Sequence, residues 1–512
     1  MHPLEPIDLL DRIRWGQNAI VGLLDPSQGY TPYWSIGFKD GHLRPFHHTG
    51  AWDRCHDVSR ALHALGMVER TGEPVDEEIW ASLADLQIAL FDESDELPGT
   101  KDDRTGQRFI HLHNIRETTH GLTAMILHNE DERAITWSRR MTRRMLDAVD
   151  RNGTIHLDRL PSCVEAYTHQ PHQEGRAVDA LVRLYGVTGD EAALDLAGRM
   201  TTYTLTHCFT EEGNVLEEAG THGHSLTAIV AGMLDFAWTT RNADLMYRVK
   251  KIYDVGIPTF NSSFGWSMES LSASLPRGES NNTGDLLRAA LLLGQAGWTS
   301  CFEDAERILR GHLLPSQVLE VDDLSDDEAD EDALHRRASR LRGGFGFPTP
   351  NDYLSTPDNS LVVYDITSGA VDGLCEALWA AVTQDETIIW VNLLLSREME
   401  DISVISFLPR DGYIELKNRS ESNVMLRIPS WVVPEDVRLT VNEHDLPVRL
   451  FGRYLLIPRG EDTSSSVVTF PVRKARTVER ICNIDYTIDW MGDQIIAMSP
   501  PAQHRPMFPP CD

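Results

Sequence analysis

Apolar and polar positions along the chain repeat one pattern six times. A short stretch rich in His, Asp, Asn and Gly opens an apolar helix, and a second helix follows after a turn such as Thr-Gly. In the third copy, Ala177, Val178, Leu181 and Leu184 recur with the 3.6-residue period of a helix. The six polar stretches begin at Trp52, His113, His169, Thr221, Glu279 and Thr367. Such a repeated unit decides the fold before any local motif does.

The two helices of each pair differ in composition. The first helices are rich in Ala, Leu and Gly, whereas the second helices carry charge, as in 133–145. Helices that are apolar nearly all round are buried, and amphipathic helices cover them. The pattern therefore predicts a closed double ring, a six-hairpin (α/α)6 barrel, whose polar stretches converge on one end. An open solenoid of stacked helix pairs is the alternative with the same period.

The periodicity changes near residue 386. Short segments rich in β-branched residues then alternate with turn signals, and no helical run lies between them. They are 388–395, 402–407, 413–417, 424–428, 437–441, 453–457 and 466–472. This spacing is typical of an antiparallel β-sandwich. The chain is thus predicted to be mainly α, with a barrel domain over 1–385 and a β-sandwich domain over 386–512. We expect the sandwich to cap the barrel, and an independent carbohydrate-binding module is the alternative.

Composition limits the class of partner. The formal net charge of −31 disfavours nucleic acids and anionic membranes as partners. The seven cysteines are scattered and odd in number, which favours reduced thiols and a cytoplasmic location over a disulfide framework. The N-terminus lacks the basic and apolar regions of a secretion signal, and no apolar run reaches membrane-spanning length. A homo-oligomer is left open.

Carboxylates and imidazoles gather at the polar stretches, where a concave mouth is expected. Glycoside hydrolysis needs one carboxylic acid to protonate the leaving oxygen and one carboxylate to attack or to activate water. The candidate catalytic residues are Glu279, Glu174, Asp53 and Asp285. Glu279 is favoured because it precedes an Asn-Asn-Thr-Gly turn. Helix capping is the structural alternative for Asp53.

Side chains that bind hydroxyl groups, stack on sugar faces or clamp a uronate carboxylate lie in the same stretches. The candidate substrate-binding residues are His56, His120, His172, His222, His224, Asn281, Trp52, Trp266, Arg54 and Arg176. An H-x-H pair is one pattern that binds metal ions, but the chain shows no third ligand near His222 and His224. The sequence therefore predicts no metal and no cofactor, and it leaves open whether a metal ion binds through these histidines.

Several segments carry a family resemblance. The chain resembles the six-hairpin glycosidase superfamily over nearly its whole length, and most of all the branch of glycoside hydrolase family 127, the β-L-arabinofuranosidases. The resemblance rests on 221–225 leading into 232–235, on 278–281, and on 426–431 followed by Val441 and Asn442. It implies an (α/α)6 barrel with a β-sandwich and an activity on carbohydrates.

The family's zinc site is not carried over in full. That site needs a Glu, a Cys two positions later and a Cys pair at the sixth hairpin, one of which is the nucleophile. Glu279 matches the Glu, but Asn281 stands at the first Cys position. The sixth hairpin reads Thr-Ser-Gly-Ala-Val over 367–371, and Cys375 lies inside the helix. The resemblance therefore implies neither zinc nor a cysteine nucleophile here.

These observations favour a glycoside hydrolase that acts exo on a small oligosaccharide or glycoside, uronate-containing ones included. Its acid/base pair would be carboxylates without a metal, and an inverting mechanism is slightly favoured. One alternative is a lyase for uronate polysaccharides that uses a His or Tyr base, with His120, His172, His224 and Tyr167 as candidates. The other is a non-catalytic carbohydrate-binding protein.

Overall fold

The computed structural model describes most of the chain in a barrel and several sheets. The described residues are 7–39, 42–48, 51–101, 105–164, 175–324, 337–357, 359–459 and 464–511. Thirteen α-helices lie in these ranges. None of them is long and apolar enough to span a membrane.

Six helices form an inner ring. They are α2 (Val58–Glu69), α4 (Asn114–Asn129), α6 (Val178–Thr188), α8 (Gly223–Thr239), α10 (Ser280–Gln295) and α13 (Tyr364–Ala381). Each inner helix contacts the next, and α13 contacts α2. The ring is therefore closed, which confirms the predicted (α/α)6 barrel and excludes the open solenoid.

Six further helices surround this ring. They are α1 (Leu9–Gly22), α3 (Glu77–Ile88), α5 (Glu132–Ala148), α7 (Glu191–Cys208), α9 (Ala243–Val255) and α11 (Cys301–Ile308), and a short α12 (Arg337–Leu341) lies against α1. The outer partner of α13 is α1, because the chain passes from α13 directly into the β-domain. The first helix of the chain thus completes the sixth hairpin.

The two rings begin differently. In α1, α3, α5, α7 and α9, an Asp or Asn side chain accepts a backbone N–H of the first turn, the usual N-cap arrangement. Among the described residues, no inner helix has a side-chain cap of this kind. The polar residues that open the inner helices are therefore available for contacts across the mouth of the barrel.

The β-domain is a sandwich of two sheets. The six-stranded sheet has the order β10-β11-β12-β18-β14-β15, and its strands are Arg397–Glu398, Ile402–Ser406, Tyr413–Asn418, Ser464–Thr469, Arg438–Val441 and His444–Leu446. The five-stranded sheet has the order β16-β17-β13-β9-β8, and its strands are Leu450–Phe451, Tyr454–Ile457, Asn423–Arg427, Ile388–Val391 and Val382–Gln384. Buried aliphatic residues such as Ile389, Leu416 and Leu455 fill the space between them.

One strand pair departs from the expected antiparallel pattern. Strand β13 pairs with β9 in parallel, with Val424 opposite Ile389. The reason is topological, because the chain crosses to the six-stranded sheet for β10–β12 before it returns. The other pairs of the sandwich are antiparallel.

Three smaller β-elements lie against the barrel. The first sheet has the order β4-β3-β7 (His42–Phe46, Ser35–Lys39, Ser360–Val363), and the two-stranded pairs are β1-β2 (Leu24–Asp25, Thr31–Pro32) and β5-β6 (Thr100–Lys101, Arg108–Phe109). The last strands, β19 (Lys474–Ile481), β20 (Ile484–Met491) and β21 (Gln494–Ser499), form the third sheet of the C-terminal region, in addition to the two sheets of the sandwich. It packs on Phe264 and Trp266 of the loop before α10. The C-terminal segment thereby supports the loop that leads to Glu279.

Candidate active site at the mouth of the barrel

Glu279 lies at the start of α10, between two histidines of the neighbouring hairpin. Its Oε1 is 3.7 Å from Nε2 of His222, and its Oε2 is 3.8 Å from Nδ1 of His224. His222 directly precedes α8, and His224 lies in the first turn of that helix. The three side chains meet because α8 and α10 are neighbours in the ring and begin at the same end. The Glu279 side chain makes no cap to α10, so its carboxylate is directed to the imidazoles.

Asp285 approaches the other face of His224. Its Oδ2 is 3.3 Å from His224 Nε2 and accepts a hydrogen bond from the Thr227 hydroxyl at 3.3 Å. Burial raises the pKa of Asp285 to about 7, although Arg116, at 3.7 Å, acts in the opposite direction. Asp285 therefore exchanges its proton in the neutral range while it contacts a histidine of the site.

Asn281 completes the surroundings of His224. Its amide nitrogen donates to His224 Nδ1 at 3.2 Å, and its amide oxygen accepts the backbone N–H of Asn282 at 2.9 Å. Burial and the nearby guanidinium groups, Arg176 first among them, hold the pKa of His224 well below its ordinary value. The imidazole is therefore neutral at neutral pH, with its Nδ1 lone pair on the side of Glu279 and Asn281.

A buried carboxylate with three arginines forms the floor of the mouth. Glu117 Oε1 is 2.8 Å from Arg176, 3.2 Å from Arg60 and 3.3 Å from Arg116. Burial acts to raise the pKa of Glu117, but these cations and His56 hold it well below the usual range. Glu117 is therefore a permanent anion that gathers the arginines beneath the site.

His56 and Arg176 both lie beside Glu117. His56 Nδ1 is 3.2 Å from the Asn114 amide oxygen, and His56 Nε2 is 3.5 Å from Asp365 in the first turn of α13. Arg176 contacts Glu117 and the ring of His113. Because the Arg176 guanidinium is engaged and almost fully buried, it acts on the site mainly through its charge.

A second ionic layer lies deeper along the barrel axis. Asp179 accepts two hydrogen bonds from Arg116, at 3.1 and 3.2 Å, and its Oδ2 is 3.0 Å from His120 and 3.3 Å from Arg288. Burial lowers the pKa of His120 to about 3. His120 was predicted to bind substrate, but it is a neutral partner of Asp179 inside the barrel and stacks on His63.

Glu269 is a further carboxyl group that the sequence analysis missed. It lies on the loop before α10, where its backbone pairs with Arg277 and its carboxylate is 2.9 Å from the Arg277 guanidinium. Burial and the charge of Glu279 raise the pKa of Glu269, against the effect of Arg277 and His222. It opens no helix and follows no repeat, so only its place in the folded loop brings it to Glu279.

The other predicted residues fall into two groups. Trp266 is 1% exposed, donates its indole N–H to the Pro348 carbonyl at 3.0 Å and packs in the core of the last sheet, so it offers no face to a sugar. Arg54 lies exposed in the turn before α2. His172 and Glu174 lie outside the described residues, and so do the side chains of Trp52 and Asp53.

A zinc site of the family 127 type does not fit these residues. The Asn281 amide occupies the first Cys position, and the hydroxyls of Thr367 and Ser368 donate to backbone carbonyls one turn earlier in α13. Cys375 is fully buried within that helix, where burial raises the pKa of its thiol well above the ordinary value. A thiolate ligand set is therefore absent from this part of the described chain.

Several solved structures have the same architecture over most of this chain. A GH127 β-arabinofuranosidase matches 96% of this chain and 85% of its own, with a TM-score of 0.62 and 15% identity. A GH127 β-L-arabinofuranosidase from Geobacillus stearothermophilus T6 matches 95% and 80%, with a TM-score of 0.61 and 14% identity. A third structure, a glycoside hydrolase, matches 92% and 84%, with a TM-score of 0.58 and 13% identity.

The likeness shows the fold. It confirms the predicted fold, an (α/α)6 barrel followed by a β-domain, which this chain shares with the two GH127 structures. No protein-family model matches the chain. No curated protein matches it in sequence either. Identities of 13–15% say nothing further about the reaction, so the function has to be argued from the site.

Proposed function

We propose that this protein is a glycoside hydrolase that binds a carbohydrate at the mouth of the barrel. The observation that carries the proposal is that Glu269 and Glu279 stand on paired backbone segments, since Met268 pairs with Gly278 and the Glu269 N–H donates to the Arg277 carbonyl at 2.9 Å. Burial and the charge of Glu279 raise the pKa of Glu269, which favours the protonated acid beside a carboxylate. A carboxylic acid and a carboxylate that face one substrate are what glycoside hydrolysis requires.

The two groups take different roles in the proposal. Glu269 protonates the leaving oxygen, and Glu279 acts as the carboxylate that activates water. The neutral imidazoles of His224 and His222 bind sugar hydroxyls, and Asp285 orients His224 through its contact of 3.3 Å. Glu174, Asp53 and Asp285 were predicted from the sequence as partners of Glu279, and Glu269 takes that place in this proposal. No step of this mechanism calls for a metal ion.

The ionic network below Glu279 supports exo action on a small saccharide. Below Glu279 the barrel axis is filled by Asp285, Arg116 and Glu117, which form one ionic network. A ligand therefore enters from one end and meets a blind floor, which suits a terminal sugar better than the middle of a polymer. The guanidinium groups beneath the floor favour a negatively charged or hydroxyl-rich ligand.

Two broader features belong to the same proposal. The third sheet and the loop before α10 share a core, which supports a structural capping role for the C-terminal domain. All seven cysteines are unbridged, which supports a reducing, cytoplasmic setting.

The decisive experiment compares the wild type with Glu269→Gln and Glu279→Gln on aryl and alkyl glycosides. Each substitution is expected to lower kcat/KM for alkyl glycosides by about 10²–10⁴-fold. Glu269→Gln should retain much more activity on nitrophenyl glycosides, because their leaving group needs little protonation, whereas Glu279→Gln should not. Glu211→Gln is the matched control, because the Glu211 side chain is 89% exposed and pairs with Arg248.

Two results would count against the proposal. Equal loss on both substrate types in Glu269→Gln would remove Glu269 from the acid role. Ultraviolet absorbance from uronate oligosaccharides without hydrolysis would indicate a lyase, for which the neutral His224 is the candidate base. Binding of saccharides with no turnover in the wild type would indicate the non-catalytic alternative.

A further inference from the structure

We propose that His222, His224 and Glu279 form a binding site for one divalent transition-metal ion of the Zn²⁺ type. Each residue offers one ligand atom, and the three atoms lie within 4.8 Å of one another. The sequence showed only the H-x-H pair, and folding brings the third ligand from the next hairpin. This metal site does not depend on the proposed function, although its effect on activity does.

The ligand distances suit a tetrahedral ion after a small contraction. Zinc binds imidazole nitrogen and carboxylate oxygen at about 2.0–2.2 Å, so neighbouring ligand atoms of a tetrahedron are about 3.3–3.5 Å apart. Oε1 of Glu279 is 3.7 Å from His222 Nε2, and Oε2 of the same carboxylate is 3.8 Å from His224 Nδ1. Each nitrogen therefore faces a different oxygen. The carboxylate binds the ion through both oxygens or turns so that one oxygen meets both nitrogens, and the partly exposed His222 turns towards His224 to close the third edge.

The groups around the histidines orient them as metal ligands are usually oriented. His224 Nε2 lies 3.3 Å from the Asp285 carboxylate, and His222 Nδ1 lies 2.9 Å from the Ser225 hydroxyl. A ligating histidine typically contacts a carboxylate or another hydrogen-bonding group through its other nitrogen, which fixes the ring and its tautomer. The other nitrogens, His222 Nε2 and His224 Nδ1, are the two that lie near Glu279.

Asn281 shows which form His224 takes. Its amide oxygen accepts the Asn282 N–H, so its amide nitrogen is the atom that donates to His224 Nδ1. An Nδ1 that accepts a hydrogen bond is unprotonated and carries the lone pair a metal needs. The metal would replace the Asn281 donor at this nitrogen.

A second group of potential metal ligands, His56, His113 and Glu117, is in direct contact with arginines. His56, His113 and Glu117 also lie within 4.8 Å of one another. Arg176, Arg60 and Arg116 all lie within 3.3 Å of Glu117, however, and Arg176 also contacts His113. These arginines also lower the pKa of His224, but they contact the second group directly. The described ion pairs of Glu279 involve only His222 and His224, so the first group is favoured.

Metal binding would engage the carboxylate to which the proposed function assigns the reaction. With Glu279 coordinated, the carboxylate that activates water in the proposed mechanism is no longer free. Zn²⁺ is therefore expected to inhibit hydrolysis, with a dependence on concentration that follows its binding, and a chelator should restore the rate.

The experiment measures binding directly on the full chain. Chelator-treated protein is titrated with Zn²⁺ by calorimetry and with Co²⁺ by visible absorption, which reports tetrahedral geometry. We expect one ion per chain, at least tenfold weaker binding in His222→Ala and in Glu279→Gln, and no change in His207→Ala, a histidine on outer helix α7. Asn281→Asp adds a carboxylate beside the site and should tighten binding at least tenfold.

The failures are distinguishable. Absence of stoichiometric binding, or binding that His222→Ala and Glu279→Gln leave unchanged, would overturn the metal site and leave the hydrolase proposal standing. Stoichiometric binding that needs both residues would support the site even in a protein that hydrolyses no glycoside. Unchanged circular dichroism in each variant would show that a loss of binding reflects a lost ligand and not unfolding.

Discussion

Glu117 offers the sharpest test of how the floor of the mouth is stabilised. Glu117→Gln keeps the shape of the side chain and removes its charge, which leaves Arg60, Arg116 and Arg176 without their shared anion. At contacts of 2.8–3.3 Å, each pair is worth about 5–6 kcal/mol at an effective dielectric constant near 20. Desolvation of the charges in the native state offsets most of this sum.

The expected cost is set by what remains after the substitution. Breaking a buried ion pair by removing one partner costs about 3–5 kcal/mol, because a buried charge is left uncompensated. Arg116 keeps its two bonds to Asp179, whereas Arg60 has no other carboxylate partner among its described contacts. We therefore expect Glu117→Gln to lower the free energy of unfolding by about 3–5 kcal/mol.

Urea denaturation, followed by tryptophan fluorescence and circular dichroism together, measures this loss. Glu211→Gln is the matched control, because Glu211 is 89% exposed and pairs with Arg248 at 3.0 Å, and its loss should lie within about 1 kcal/mol. Arg60→Met added to Glu117→Gln should recover part of the stability, since it removes an orphaned charge. A loss below about 1 kcal/mol in Glu117→Gln would refute the view that the arginines depend on this carboxylate.

Two other predictions concern pH and backbone strain. Because the pKa of Asp285 in the folded protein is about 7, above the value of about 3.9 of an unfolded Asp, the stability it supplies is complete below pH of about 4 and is lost as pH rises through about 7. Asp285→Asn should flatten that decline in the free energy of unfolding, measured by urea denaturation across this range, and equal slopes in both proteins would contradict it. Gly153→Ala should lower the free energy of unfolding by about 1 kcal/mol because φ is +86°, in the left-handed region. It should lower it by about 1–3 kcal/mol more through overpacking, because a Cβ would lie 2.1 Å from the Arg199 carbonyl oxygen. Gly72→Ala, with φ +95° and open space around it, should show the first cost alone, and equal losses at the two sites, by thermal or urea unfolding, would show that the clash relaxes freely.

The fold could be predicted because its signals are local and repeated. The 3.6-residue spacing of Ala177, Val178, Leu181 and Leu184 describes one helix face, and six copies of such a unit call for a ring. The change to short β-branched segments after residue 386 is equally local. The parallel pairing of β9 with β13 was missed, because strand neighbours depend on how the chain crosses between sheets.

The site was predicted by composition and corrected by geometry. Glu279, His222, His224 and Asp285 do meet, since each stands at or near the start of an inner helix. His120 lies in an inner helix too, but it is six residues beyond Asn114, the first residue of α4. At that depth it pairs with Asp179 inside the barrel. Trp266 lies on the loop before α10, and its ring is buried because residues of the last sheet pack on it.

The sequence by itself determined the repeat, the order of inner and outer helices and the end of the barrel at which polar residues gather, because these depend on spacing along one chain. Only the tertiary structure decided which of those polar residues touch. Ring closure sets α8 beside α10 and thereby joins Glu279 to the two histidines, and the packed loop before α10 adds Glu269. Proton affinity and metal affinity depend on distances of a few ångströms and on burial, and both arise from contacts between hairpins that are remote in sequence.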